Sequence, residues 1–390
     1  MLRVIQHRVA VALSLALLMA GCGSGRPANS RMSGGSDPGR SHARRSQAAA
    51  SRVPPLISRH DVYAADRAGR LSPVVRRFPE RIYVPNSGSN TVDEIDPHTF
   101  RIVRHFATGA LPQHVTPSYD LKTLWVSNDA GNSLMPIDPR TGKPGKPVPV
   151  EDPYNLYFTP DGRYAIVVAE RLKRLDFRYS HSMRLEHSLA VPTCPGVDHL
   201  DFTANGRYAL ASCEFGGSMI EIDVRRERVV RTIHLRSGAM PQDVKLSPDG
   251  RVFYVADMAS SGVWRISGRS FRKTGFVHTG AGAHGLYASR DSRYLYVSNR
   301  GEGSISLISF AKRRVVKKWR LPGSASPDMG GVSASGRILW LSGRYNAEVY
   351  AISTRSGRLI RRISVGQGPH GLCVYPQPGR YSLGHTGVFR

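Results

Sequence analysis

The chain has 390 residues, with 55 Lys and Arg against 29 Asp and Glu, which gives a formal net charge of +26 at neutral pH. Hydrophobic residues make up 40% of it, which excludes a wholly disordered or fibrous protein. The length allows two or three average domains, but closed all-β folds often reach this size as one unit, so the order of elements has to decide.

Residues 1–22 run from Arg3 and Arg8 through VAVALSLALLMA to Gly21 and Cys22. A basic start, a short apolar core and small residues at a cleavage point mark an export signal. The apolar run falls short of the ~20 residues that span a bilayer, so it is not read as an anchor helix. Met19-Ala20-Gly21-Cys22 resembles a bacterial lipobox, with Met where Leu is more usual. The resemblance implies that the Cys22 thiol takes a diacylglycerol and holds the protein on the extracytoplasmic face of the cell membrane. A plain secretory signal that happens to contain a cysteine is the alternative.

Residues 23–55 are Ser, Gly, Pro, Ala and Arg with few large apolar side chains, so a disordered basic tether is expected there. The first eighty residues hold thirteen Arg and four acidic residues, placing charge where an anionic lipid or cell-wall polymer would attract it. An exported lipoprotein rarely meets nucleic acid, and none is expected as a partner. Residues 56–79 form a lead-in segment.

From residue 80 the chain repeats itself. RIYVPN, TLWVSN, RYAIVV, RYALAS, RVFYVA, RYLYVS and RILWLS begin at residues 81, 123, 163, 207, 251, 293 and 337. Turns such as TPDG, TANG, SPDG, SRDS and SASG precede most copies and suit tight hairpins. Each copy continues into a third strand, as in TVDEID or SISLIS, and a fourth, as in RVVRTIHL or RVVKKWRL. Seven units of four short strands predict an all-β, seven-bladed β-propeller of antiparallel blades. The first unit lacks its first strand and the last is followed by an extra one, GPHGLCVYP, which is expected to complete blade one. The propeller is therefore set at residues 80–376, with 377–390 as a C-terminal tail.

SPDGRVFYVAD, SRYLYVSNRGEGSISLIS and GPHGLCVYP resemble the YVTN repeat of YncE-like seven-bladed propellers of the bacterial envelope. The resemblance covers all seven units. The third, ERLKRLDFRYSHSMRLEHS, departs most from the pattern. The resemblance implies the fold, and function only loosely, because propellers host adhesins, binding proteins, lactonases and metal or haem oxidoreductases.

Gly280, Gly282 and Gly285 match G-x-G-x-x-G, but GLYAS, a turn and RYLYVSN follow where a dinucleotide site needs a helix. The runs RRERVVR, KRRVVKKWR and RSGRLIRR fall at or before fourth strands. They are read as protection of outer edges against pairing, or as a rim for an anionic polymer or lipid.

Stacking the starts of the first strands puts Gln113, Tyr154, Asp198, Gln242, His284, Asp328 and His370 at one position. At the next stand His114, Asn155, His199, Asp243, Gly285, Met329 and Gly371. All converge on one mouth of the central tunnel, as a ligand site would require and as a wet tunnel would also contain. Neighbouring strand positions point opposite ways, so His284 and His370 are not expected to join His114 and His199 in a metal cage. Residues ending second strands, among them Asn86, Asn128 and Asn299, read mostly as loop caps, with Glu170, Glu214 and Asp257 adding acidity. Cys194 and Cys213 lie on the same mouth at disulfide spacing, and Cys373 reads as a buried thiol.

No G-x-S-x-G, H-E-x-x-H, C-x-x-C or Walker motif is present. The expectation is a monomeric, lipid-anchored propeller that binds a protein or small molecule through the polar mouth. No cofactor is expected, although a metal could use the same donors. The alternative is an enzyme on that mouth, either a lactonase-like hydrolase or a metal- or haem-dependent oxidoreductase.

Overall fold

A computed structural model describes residues 53–385 and 389–390. The signal, Cys22 and the tether up to residue 52 lie outside the described residues. In the hairpin turns, the hydroxyls of Thr159, Thr203, Ser247 and Ser289 accept the amide five residues on and donate to the Asp or Asn two residues on. The last turn residue is left-handed, with φ of +71° at Gly162; Leu121 at +65° and Ser292 at +56° stand where the remaining turns have glycine. These turns join inner strands to second strands in blades two to seven, six times around one axis.

Blade one pairs Cys373–Tyr375, from the C-terminal end, with Arg81–Asn86, followed by Thr91–Asp96 and Arg101–Ala107. The closing strand sets Tyr375 opposite Arg81 and Cys373 opposite Tyr83. The inner strands of blades two to seven are Pro112–Pro117, Asn155–Phe158, Val197–Phe202, Pro241–Leu246, Ala283–Ala288 and Pro327–Val332. The third unit, the least regular in sequence, forms a complete blade with Leu185–Ala190 as its outer strand. It is blade two whose outer strand breaks, into Lys143–Pro144 and Val148–Pro149, because prolines there cannot donate to the ladder.

Second strands such as Tyr164–Ala169 are buried along their length because another blade packs on each face. Outer strands such as Arg101–Ala107 alternate and face solvent. Seven apolar clusters result, one at each seam between blades. Between blades three and four, for example, Tyr157, Ile166 and Phe177 meet Leu200, Phe202 and Ala211. The basic runs lie on outer strands and their turns, where Arg231 pairs with Glu221, Lys318 and Arg320 with Glu302, and Arg362 with Glu348.

Both chain ends cover the face carrying the hairpin turns, here called the lower face. In the lead-in, the Tyr63 hydroxyl donates to the Leu246 carbonyl at 2.6 Å and the Gly69 amide to the Ala334 carbonyl at 3.0 Å. The tail, expected only as a segment beyond the ring, enters it. Tyr381 stacks on Tyr119 with centroids 5.1 Å apart, and the Phe158 amide donates to the Leu383 carbonyl at 3.0 Å. Leu383, His385 and Phe389 are fully buried, and the Arg390 guanidinium pairs with buried Asp201 at 3.1 Å.

Candidate functional site

The inner strands do not begin as regular pleats. Their pairing with second strands shifts register between Pro112 and His114, Val197 and Leu200, Pro241 and Val244, Ala283 and Leu286, and Pro327 and Gly330. A bulge sets two residues against one and breaks the alternation of side chains. This overturns the expectation that the two stacked positions point apart. Gly282, with φ of +73°, leads into one such start, and a Cβ on Gly285 would come within 2.9 Å of the Asp328 carbonyl. No helix follows these glycines; two strands do.

Five imidazoles meet at the axis. The ring of His114 lies 5.0 Å from that of His370, 5.3 Å from His385 and 5.5 Å from His199, centroid to centroid. His199 is 4.9 Å from His385, and His284 is 5.7 Å from His370. All five are buried. His385 was missed because it belongs to no repeat unit and so has no counterpart to stack against.

The five divide by their partners. His370 donates from Nδ1 to Asp328 at 2.7 Å, His284 Nδ1 lies 3.1 Å from the same carboxylate, and Arg300 pairs with it at 3.1 Å. Burial and neighbouring cations hold His370 down at about 4. Burial acts against the Asp328 carboxylate, yet His284, Arg300 and His370 hold its pKa well below the carboxylate range. This half is a neutral imidazole pair locked by an ionised aspartate. In the other half, both ring nitrogens of His114, His199 and His385 are buried without a hydrogen bond, although His199 Nδ1 lies 2.6 Å from Asp198 and His385 Nε2 3.7 Å from Asp243. Burial and the surrounding imidazoles push His114 well below its usual value. Burial also disfavours a charged His199, but Asp198, with Asp243 and Glu214 behind it, outweighs burial and raises that pKa.

The remaining sequence candidates divide in the same way. The Tyr154 hydroxyl reaches His370 Nε2 at 3.5 Å from the upper side. Asp243 is structural as well as axial, accepting the amides of Val244 and of Leu286 in the next blade, each at 2.8 Å. Asn155 Oδ1 accepts the Leu156 amide, and its amide group donates to the Tyr157 hydroxyl. Gln242 donates to the Met240 carbonyl, Gln113 lies near Asp129, and Met329 is buried. Cys194 and Cys213 form a disulfide with Cα atoms 4.8 Å apart, and Cys373 is a buried thiol.

The upper rim is a second ring, formed by the residue after each second strand: Ser87, Asp129, Glu170, Glu214, Met258, Arg300 and Arg344. Blades two to four contribute acids, and blades six and seven contribute arginines. Burial and the crowding of Asp198, Glu170 and Glu214 raise Glu170 to about 8 and Glu214 to about 7. Asp257 adds nothing to this ring; it is turned into its own loop, accepting from Trp264 Nε1 at 2.9 Å and from the Met240 amide. Asn86, Asn128 and Asn299 likewise bond Ser or Thr hydroxyls of their own blades. The charged ring was legible one residue beyond the stacked strand ends.

A closed ring of seven blades with a buried histidine cluster on its axis defines a β-propeller. The profile of the YNCE-like beta-propeller family matches residues 40–379, and the chain belongs to that family. No curated protein sequence matches the chain. Among solved structures it is similar to a functionally unknown protein from Desulfotomaculum acetoxidans, at 15% identity and a TM-score of 0.64 over 75% of this chain and 98% of that one. It is also similar to the periplasmic gluconolactonase PpgL of Pseudomonas aeruginosa, at 19% identity and a TM-score of 0.62 over 75% and 98%. A third match is hydrazine synthase of Kuenenia stuttgartiensis, at 21% identity and a TM-score of 0.57 over 66% and 87%. At these identities the likeness is one of fold.

Proposed function

We propose that the protein is an exported, lipid-anchored binding protein that takes a small dipolar ligand at the upper mouth of its axis. The observation that carries this reading is the segregated ring, with Glu170 and Glu214 on one side and Arg300 and Arg344 on the other. The two glutamates are half-buried; burial and Asp198 push both up, to about 8 for Glu170, where Glu214 adds to the effect, and to about 7 for Glu214. A cationic group between them would let them ionise, while an anionic group would meet the arginines. A family of propellers with varied activities is consistent with a site of this kind and does not specify its ligand.

The test is a thermal-shift screen of the full chain against free amino acids and short dipolar peptides. A binding member raises the melting temperature with saturation, and Arg344→Ala abolishes the rise while the unliganded variant melts normally. A flat response across the panel, or a rise that survives Arg344→Ala, overturns the reading.

A further inference from the structure

We propose that His114, His199 and His385 form a binding site for one first-row transition-metal ion of the zinc or copper class. One ring nitrogen from each lies within 4.8 Å of the others, and all three side chains are buried. An ion centred among nitrogens so spaced stands roughly 2.8 Å or less from each, against the ~2.0–2.1 Å of a metal–imidazole bond. Closure therefore needs shifts of about 0.7 Å per nitrogen, within reach of small ring rotations.

The hydrogen-bond inventory points the same way. Both ring nitrogens of His114, Nε2 of His199 and Nδ1 of His385 are buried without a polar partner, whereas the neighbouring His370 donates to Asp328. Buried polar atoms are rarely left unpaired without a reason, and a bound ion is one of the recognised reasons. Two carboxylates stand where they would orient the ligands and offset the charge. Asp198 lies 2.6 Å from His199 Nδ1, leaving its Nε2 for the ion, and Asp243 lies 3.7 Å from His385 Nε2. Three imidazoles suit zinc, copper or nickel and not the oxygen-seeking calcium or magnesium.

The donors come from the inner strands of blades two and four and from the tail, which reaches the axis from the lower face. The ion would thus clasp the C-terminus to the ring. The Tyr154 ring, 5.5 Å from that of His114, covers the cluster from the upper side, below the acidic half of the rim. The proposal deepens the axial-site reading given above, since it names a cation held beneath the mouth.

The test uses full-length protein purified without an affinity tag, stripped with chelator and titrated with Co²⁺, with Zn²⁺ as competitor. One equivalent with visible absorption of a low-coordinate cobalt site is expected, displaced by Zn²⁺ and indifferent to Mg²⁺. His385→Ala and His114→Ala weaken binding at least 100-fold, while His284→Ala leaves it within several-fold. Metal should also slow hydrogen exchange of the His385 amide in the wild type, a readout that needs no variant to fold. No stoichiometric cobalt binding in the wild type, or binding that survives His385→Ala, overturns the proposal. Arg344→Ala separates the two readings, because it removes the dipolar ligand and leaves cobalt binding intact. Dipolar-ligand stabilisation without cobalt binding overturns the metal site alone, and cobalt binding without ligand stabilisation overturns the mouth reading alone.

Discussion

Replacing Leu383 with alanine tests whether the C-terminal tail is seated inside the ring. Leu383 is fully buried in the cluster containing Tyr157, Leu200 and Phe202, and its carbonyl accepts the Phe158 amide at 3.0 Å. Truncating a leucine in such a site costs about 2–5 kcal/mol, from lost burial and the cavity left behind. For a folded unit of about 340 residues the entropy of unfolding is roughly 0.7 kcal/mol/K, so the melting temperature should fall by about 3–7 °C. The backbone effect is local, because His385 lies two residues on and its amide bonds the Leu156 carbonyl at 3.1 Å. Circular dichroism melts give the first quantity, and hydrogen exchange at the Phe158 and His385 amides gives the second. Both amides should exchange faster in Leu383→Ala. A melting temperature unchanged within about 1 °C, with wild-type exchange at both amides, would refute the seating of the tail and with it the place of His385 on the axis.

Two further outcomes follow from the sequence and the rim. Glu170 binds its proton more tightly folded than unfolded, with a pKa of about 8 against a usual 4.5. Stability from this group is therefore complete below pH 4.5 and lost as pH rises through 8. Glu170→Gln should then match the wild type at about pH 5 and melt higher by roughly 2 °C or more at about pH 9; an equal offset at both ends would refute the crowding. At the N-terminus, Cys22→Ala should move the protein from the membrane fraction to the soluble fraction, and continued membrane association would refute lipid anchoring.

Much of the fold was legible because repetition multiplies a weak signal. A single RYLYVSN is an ambiguous apolar run, but seven copies, six of them behind left-handed turns, fix strand, hairpin and blade together. The missing first strand and the surplus GPHGLCVYP likewise showed how the ring closes. The same reliance on repetition hid the tail. GRYSLGHTGVFR has no counterpart in any blade, so nothing in the stacking showed that His385 reaches the axis between His114 and His199. The direction of the stacked histidines failed for another reason: alternation holds for regular strands, and the bulges at the inner starts belong to three-dimensional closure around a crowded axis. Blade two illustrates a third kind of miss. Pro144, Pro147 and Pro149 carry the break in its outer strand in plain view, whereas the irregular third unit, with its changed loop residues, still satisfies a full ladder.

The partners around the rim indicate which groups are free to meet a ligand. Arg300 is committed, with one nitrogen on Asp328 at 3.1 Å and another near the Met258 sulfur. Asp129 is held by Arg171, which also grips Asp152 at 2.6 Å, and Glu214 lies against Gln242. Arg344 makes only 3.3 Å contacts to the Ser87 hydroxyl and the Gly368 carbonyl, and Glu170 has no side-chain partner among the described residues. The two least committed charges thus stand on blades seven and three, with Tyr154 feeling both. A ligand spanning them would exchange weak contacts for charge-assisted ones at both ends, whereas one placed between Arg300 and Asp129 would have to break existing pairs first. A ligand bound as proposed would therefore lie along the axis from Glu170 to Arg344. The fixed pairs beside it act as the frame that keeps those two ends apart.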